Sequence, residues 1–152
     1  MNIHKTAIVD PGAEIGQGTK IWHFCHVSEK SKIGRNCTLG HNVFIGKNVV
    51  IGNNVKIQNN VSIFDGCVIS SNVFIGPHVV FTNVKHPTSK QKAKKYETTF
   101  VRSGVTIGAN STILCDVTLG RNSFIGAHSF INTDTEPGHL YYGVPAKKIK
   151  KL

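Results

Sequence analysis

Long apolar runs and amphipathic helical patterns are both missing from this sequence. No stretch of about 18 apolar residues occurs, so no segment is predicted to cross a membrane. Leucine is scarce, and apolar residues do not recur with a 3.6-residue period over most of the chain. The first residues show no basic stretch followed by an apolar one, as a secretory leader would. We therefore expect an all-β protein of the cytoplasm.

Paired cysteines are also missing. Cys25, Cys37, Cys67 and Cys115 form no C-x-x-C pair and have no zinc-ligand spacing. We expect no metal and a reducing compartment. The first three fall at an inward position of the repeat described below and are predicted core residues, whereas Cys115 falls at a corner and is predicted to be exposed.

Acidic residues are few. The chain has eight acidic residues and 18 lysines and arginines, so the net charge is +10. Such a balance favours acidic partners, among them phosphorylated small molecules and nucleic acids. The lysines concentrate in residues 85–95 and 147–151, the two segments that the repeat does not cover.

What the sequence has in abundance is a six-residue repeat. Starting at Val9, thirteen consecutive positions spaced six residues apart are apolar, ending at Phe81, and a second run begins at Val101 and ends at Ile131. Two residues before each aliphatic lies a small or β-branched residue; one residue after it is often glycine, and three after it is often asparagine. Both inward residues lie on one face of a short strand because side chains alternate. Glycine and asparagine fit a corner because they tolerate positive φ.

Three such strands close a triangular coil of 18 residues, and stacked coils bury a continuous aliphatic column. The pattern resembles the hexapeptide-repeat acyltransferases, whose parallel β-helix is left-handed although the usual crossover rule favours the right hand. The resemblance implies one β-helical domain over residues 1–152, with one extruded loop (about 83–100) and a short C-terminal tail.

Three stretches resemble the subgroup that N-acetylates the 3-amino group of nucleotide-linked sugars for O-antigen and S-layer glycans. These are Ile21–Val27, Lys56–Ser62 and Phe81–Val84. The resemblance implies transfer of acetyl from acetyl-CoA to a UDP- or dTDP-linked amino deoxy sugar. It also implies a homotrimer, in which the loop packs on a neighbouring subunit, and no nucleic-acid or membrane partner.

Three residues are the candidates for catalysis. Asn83 matches the loop-base asparagine of the subgroup, which lies near the sugar amine. Asp65 precedes it by one coil and is expected beside it, where it could hold the amine or a hydroxyl. His86 is the alternative base, because histidine suits proton transfer at neutral pH. The subgroup does not usually carry histidine here, so the identity of the base stays open.

The substrate candidates are Lys47, which shares a corner column with Asp65 and Asn83, and three residues of another corner, Trp22, Gln58 and Asn59. Trp22 and Gln58 replace the small residue expected after the aliphatic, and Trp22 could stack on a nucleotide base or pack against a neighbouring subunit. For acetyl-CoA, family precedent places a groove beside the C-terminal coils.

Ala109 and Ala127 would let the pantetheine approach that groove closely. Lys147 and Lys148 could meet its phosphates or form a frayed basic tail.

Two other functions stay open from the sequence. One is an O-acetyltransferase of the same fold, acting on a sugar, serine or antibiotic hydroxyl with His86 as base. The other is a non-enzymatic scaffold or nucleic-acid binder that uses the basic loop, although no aromatic stacking residues are interleaved with the lysines.

Overall fold

A computed structural model describes residues 2–90 and 95–152. The chain winds through three parallel sheets, which we call faces A, B and C. Face A has nine strands, in the order β1 (Asn2–Ile3), β4 (Lys20–Ile21), β7 (Thr38–Leu39), β10 (Lys56–Ile57), β13 (Phe74–Ile75), β16 (Thr106–Ile107), β19 (Phe124–Ile125), β21 (His139–Gly143) and β22 (Ala146–Lys151).

Faces B and C contain the other two sides of each coil. Face B consists of β2 (Ile8–Val9), β5 (His26–Val27), β8 (Phe44–Ile45), β11 (Ser62–Ile63), β14 (Val80–Phe81), β17 (Thr112–Ile113) and β20 (Phe130–Ile131). Face C consists of β3 (Glu14–Ile15), β6 (Lys32–Ile33), β9 (Val50–Ile51), β12 (Cys67–Ile69), β15 (Thr99–Val101) and β18 (Thr118–Leu119).

The register follows the repeat. Before the loop, each strand pairs with the strand 18 residues later, as Ile21 does with Leu39. Across the loop the interval is 32 residues, and Phe81 pairs with Ile113. The predicted aliphatic positions from Ile21 onward are buried. The expected left-handed parallel β-helix of hexapeptide repeats is confirmed.

Asparagine and glycine occupy the corners for two different reasons. The residue three after the aliphatic has a positive φ at every corner except Val84, at the start of the loop, and Asp134, after the last repeat. Asparagines such as Asn36 (φ 56°) share this conformation with Phe24, Lys30, His78, Asp116 and His128. The glycine one after the aliphatic has no positive φ. A Cβ on Gly34 would lie 2.5 Å from the carbonyl oxygen of Gly52 in the next coil. The expectation that both residue types serve positive φ is therefore wrong for this glycine, which is needed for close stacking.

Three local expectations also need correction. Cys115 is only 6% exposed, and its backbone amide donates a hydrogen bond to Thr82 Oγ1 in the coil before the loop. The extruded loop ends before residue 100, since Thr99 already pairs with Cys67 of β12. The C-terminal segment is not frayed: β22 pairs antiparallel with β21 and covers the end of face A. Cys25, Cys37 and Cys67 are core residues, as predicted. Within the described residues, no helix has the length and apolarity to span a membrane.

Replacing Gly34 by alanine should destabilise the fold. The added methyl would meet backbone atoms of Gly52 at 2.5–2.6 Å, and overpacking of this kind costs about 1–3 kcal/mol. Thermal unfolding should show a melting temperature several degrees lower. Asn36→Gly, in the same corner, is the control, because glycine adopts the positive φ of Asn36 readily. A Gly34→Ala protein as stable as the wild type would contradict this role of the glycine.

Candidate functional site

The corners form three edges along the β-helix, and two of them hold the predicted site residues. We call the edge between faces B and C the loop edge; two residues after each aliphatic it presents Glu29, Lys47, Asp65, Asn83 and Cys115. We call the edge between faces A and B the open edge; at the equivalent position it presents His23, His41, Asn59, Pro77, Ala109 and Ala127.

On the loop edge, Asn83 marks the base of the extruded loop. Its carbonyl oxygen accepts a hydrogen bond from the Glu97 amide at 2.9 Å, so the two ends of the loop meet here. The Asn83 side chain is half-buried, as is that of Asp65 one coil earlier. The strand register aligns the two residues, as their 18-residue spacing predicts. A half-buried amide and a half-buried carboxylate one coil apart in the same column can orient an amine.

Lys47 lies in the same column but is already engaged. Its Nζ lies 2.6 Å from Oε1 of Glu29. This hydrogen bond raises the pKa of Lys47 and lowers that of Glu29. Lys47 is nevertheless exposed, so a phosphate would have to compete with Glu29 for it.

His86 lines a pocket of about 330 Å³ at the foot of the loop. The walls of this loop-base pocket are Val84, Lys85, His86, Leu114, Cys115, Asp116, Val117 and Asn132. His86 was predicted from the sequence as a candidate, whereas Asp116 and Asn132 were missed. One signal for each was available: Asn132 stands where a small residue usually follows the aliphatic, and Asp116 stands at an asparagine corner.

Three of the four cysteines, Cys25, Cys37 and Cys67, are unsuited to act as nucleophiles. Burial raises the pKa of the Cys67 thiol to about 12, and it raises the pKa values of Cys25 and Cys37 as well. A thiol of this kind carries almost no thiolate at neutral pH, and the thiolate is the reactive form. Cys115 lies in the pocket wall with its backbone amide bonded to Thr82 Oγ1 at 2.9 Å.

The N-terminal half of the open edge carries a stack of aromatic rings. The His23 ring lies 3.6 Å from that of His4 and 4.8 Å from that of His41, measured between centroids. The Trp22 ring is 6.2 Å from each of the His23 and His41 rings. Burial, followed by the neighbouring His4 and His41, lowers the pKa of His23. Trp22 itself remains exposed, so one surface of the indole is free for a ring.

Gln58 and Asn59 lie next along the open edge. The Asn59 side-chain oxygen accepts a hydrogen bond from the His41 amide at 2.8 Å, which ties two coils together. Its amide nitrogen has no such bond to the protein among the described residues. Gln58 is half-buried. Asn59 therefore has a structural task, and only its donor is available to a ligand.

At the C-terminal half of the open edge the corner residues become small. Pro77, Ala109 and Ala127 follow one another, and Ala127 is exposed. The two lysines predicted to meet phosphates lie on β22. Lys148 is bonded to Glu136 at 2.7 Å, whereas Lys147 is exposed and pairs through its backbone with Tyr142.

The predicted site residues thus form two groups, one on the loop edge and one on the open edge. Within one chain the two groups are far apart. Face B separates the loop edge from the open edge, and its six residues per coil span roughly 15–20 Å. Across residues 2–90 and 95–152, no group of three or more His, Cys, Asp and Glu side chains is placed to hold a metal ion. Lys92 and Lys94 of the basic loop lie outside the described residues.

Comparison with known proteins finds repeats of the same kind. A family model described as the GMPPB C-terminal domain matches residues 21–85, and one described as bacterial transferase hexapeptide (six repeats) matches residues 98–133. A dTDP-3-amino-3,6-dideoxy-alpha-D-galactopyranose 3-N-acetyltransferase from Aneurinibacillus thermoaerophilus is 42% identical over 145 residues, covering 95% of this chain and 75% of the relative.

Two solved structures extend the likeness to the fold. A hexapeptide-repeat acetyltransferase from Vibrio cholerae, complexed with acetyl coenzyme A, is 28% identical with a TM-score of 0.62 and covers 75% of this chain and 70% of its own. A variant of AntD, an N-acyltransferase from Bacillus cereus in complex with dTDP and coenzyme A, is 23% identical with a TM-score of 0.60. That match covers 98% of this chain and 80% of AntD.

The histidine stack should make the protein less stable in acid. The pKa of His23 in the folded chain lies below its unfolded value of 6.5, so the unfolded chain binds more protons. His23 therefore contributes no penalty above pH 6.5, and folding is penalised progressively as the pH falls below that value. Melting temperatures measured between pH 7.5 and 5 should fall for the wild type and fall less for His23→Asn. Identical pH profiles for the two proteins would refute this role for His23.

Proposed function

This chain belongs to the hexapeptide-repeat acyltransferase superfamily, and we propose that residues 1–152 form one N-acetyltransferase domain. It transfers acetyl from acetyl-CoA to the C3 amino group of a nucleotide-linked amino deoxy sugar. The observation that carries the proposal is the 42% identity over 95% of the chain to an enzyme that acetylates the 3-amino group of a dTDP-sugar. We propose dTDP as the carrier, with UDP as the comparison.

The chemistry needs alignment more than it needs a strong base. The neutral amine attacks the thioester carbonyl carbon, an N–C bond forms, the C–S bond breaks, and coenzyme A leaves as thiolate while the nitrogen loses one proton. Holding both reactants in place can remove about 7–11 kcal/mol of the barrier in reactions between two bound substrates. Asn83 and Asp65, both half-buried and one coil apart at the loop base, orient the amine. His86 in the wall of the loop-base pocket takes the proton.

Recognition of the two substrates falls mainly to the open edge. Trp22 offers an exposed indole for stacking on the nucleotide base, and Gln58 and the Asn59 amide nitrogen offer polar contacts to the sugar or diphosphate. Lys47 on the loop edge can exchange Glu29 for a phosphate oxygen. The small residues Ala109 and Ala127 admit the pantetheine of acetyl-CoA.

The C-terminal hairpin of β21 and β22 would bind the phosphates of coenzyme A. Lys147 is exposed and has no acidic partner within residues 2–90 and 95–152, so it is the stronger candidate. Lys148 would have to leave Glu136.

The active assembly we propose is a homotrimer. Closed cyclic symmetry is the norm for homo-oligomers, and it brings the loop edge of one chain to the open edge of the next. Face B, which lies between these edges, is the side best suited to contact another protein because its outward strand residues include no Lys, Arg, Asp or Glu. They are Ile8, His26, Phe44, Ser62, Val80, Thr112 and Phe130.

A biosynthetic setting follows from the proposed reaction. An N-acetylated nucleotide sugar of this class is a donor for surface glycans such as the O-antigen of lipopolysaccharide or the S-layer glycan. Both the sugar nucleotide and acetyl-CoA are cytoplasmic metabolites, so we propose that the enzyme works in the cytoplasm, without metal, nucleic acid or membrane as a required partner.

Release of coenzyme A thiol across an acceptor panel tests the activity. The panel holds dTDP- and UDP-linked 3-amino and 4-amino sugars, a hydroxylated sugar and serine, each with and without chelator. We expect rapid release with a dTDP-3-amino sugar, unchanged by chelator. Release only with a hydroxyl acceptor would instead support O-acetylation with His86 as base, and RNA binding without turnover would favour the binding-protein alternative.

Single substitutions then test how much Asn83 and His86 each contribute to kcat. Asn83→Ala should lower kcat on the order of 100-fold, the effect typical of removing a polar group that acts in the transition state. His86→Ala should lower it by a similar factor if His86 is the base. Ser103→Ala is the matched control, because Ser103 holds the same repeat position on the third edge. Full activity in Asn83→Ala would remove Asn83 from the site.

Mixed oligomers test whether two chains build one site. Asn83→Ala disables the loop edge, and Trp22→Ala with Gln58→Ala disables the open edge. If each site uses one edge from each of two chains, refolding equal amounts of the two inactive proteins together should restore about a quarter of wild-type activity, since half of each edge is intact. The two variants refolded separately and then combined are the control. No recovery in the co-refolded mixture would mean that each site lies within one chain.

A further inference from the structure

The start of the extruded loop is held to the next coil by one ion pair that the proposed chemistry does not use. Lys85 Nζ lies 2.6 Å from Asp116 Oδ2, across a sequence separation of 31 residues. Lys85 is the residue directly before His86, and Asp116 lies at the loop-edge corner of the coil that follows the loop. Both line the loop-base pocket with His86.

Asp116 is an unusual residue for its place. Its φ of 64° puts it at the corner position where the chain most often has asparagine. An uncharged asparagine would satisfy the backbone there equally well, since it is the commonest residue with this conformation in the chain. The backbone therefore does not explain the charge of Asp116, but the contact with Lys85 does.

The electrostatics agree with a formed pair. The hydrogen bond and charge of Lys85, with a smaller effect of Lys95, lower the pKa of Asp116. The same contact raises the pKa of Lys85, with a smaller effect of Glu97. Glu97 also closes the loop, because its backbone amide donates a hydrogen bond to the Asn83 carbonyl oxygen. The loop thus has two attachments at its base, one through the backbone at Asn83 and one through side chains at Lys85.

We propose that Asp116 is a positioning residue: through its ion pair with Lys85 it fixes the first residues of the loop, and with them His86, against the wall of the loop-base pocket. The backbone bond at Asn83 sets where the loop leaves the coil but leaves the next residues free to turn. The ion pair removes that freedom within three residues of Asn83. The effect on catalysis rests on the proposed function, whereas the effect on the loop does not.

The pair is about half exposed on both sides, and such pairs contribute little to global stability. Loops are among the least stable parts of a fold, so a small bias can decide their local arrangement. Loss of the pair should therefore appear in kcat and in local exchange at the loop base, and not in the melting temperature.

The chain supplies well-matched variants for the test. Asp116→Asn removes the charge and keeps a residue that fits the corner, as Asn110 does with a φ of 57°. Lys85→Met removes the opposite charge. The exchange of the two, Lys85→Asp with Asp116→Lys, is compatible with the backbone because Lys30 already occupies an equivalent corner with a φ of 60°. Glu14→Gln is the control, since it breaks an exposed inter-coil pair with Lys32 (3.1 Å) on face C.

Each protein is assayed for kcat and both KM values, for melting temperature, and for hydrogen exchange of the Glu97 amide. We expect Asp116→Asn and Lys85→Met each to lower kcat about threefold to fivefold, the range open to an exposed ion pair. The double removal should be no worse than either single change, because both remove one interaction. The charge exchange should recover most of the loss, and Glu14→Gln should behave as wild type.

Wild-type kcat in Asp116→Asn, or losses that simply add in the double variant, would overturn the proposal. If the charge-exchanged protein does not fold, the cycle of Asp116→Asn and Lys85→Met decides alone. If the wild type acetylates no amino sugar, the exchange measurement still decides: faster exchange of the Glu97 amide in Asp116→Asn supports the positioning role, and unchanged exchange refutes it.

Discussion

Every coil of this protein must lie directly on the one before it, and most other features follow from that stacking. The strand ladder pairs residues that are 18 positions apart. Each side chain therefore lies next to the equivalent side chains of the coil before it and the coil after it. Close stacking requires glycine where a Cβ would meet the next backbone, and the corners between successive repeats take a positive φ three residues after the aliphatic. The inward positions are committed to aliphatic and small residues, and these form one continuous core. Chemistry is left to the edges, where side chains leave the column.

The extruded loop is an insertion that this constraint tolerates. Because Phe81 still pairs with Ile113, the coil resumes in register after 14 extra residues, and the loop is free to carry function without disturbing the core. It emerges at Asn83, beside Asp65, and is held at its base by Glu97 and Asp116. The open edge offers a complementary surface, with rings at one end and small residues at the other. A site that uses both edges has to be completed by a second chain.

The sequence was enough to predict the fold because each six-residue repeat corresponds to one strand and one corner of the coil. It predicted the strand register, the aliphatic column and the place of the loop. It could not show why glycine and asparagine share the corners, since φ and close contact are indistinguishable in a pattern. It also missed what depends on side-chain partners: the burial of Cys115, the hydrogen bond from the His41 backbone amide to Asn59 Oδ1, and the ion pairs of Lys47, Lys148 and Asp116. The repeat predicts where a residue lies within its 18-residue coil, but it does not predict which partner its side chain contacts.

In the assembly we propose, one active site needs two chains. Active-enzyme sedimentation can test this, because it measures the mass of the species that is releasing coenzyme A from acetyl-CoA in the presence of the amino sugar. The two-edge site predicts that turnover travels only with a closed oligomer, with three chains as the proposed size, and that activity is lost on dilution to monomer. Turnover that sediments with a single chain of 16.6 kDa would contradict the account.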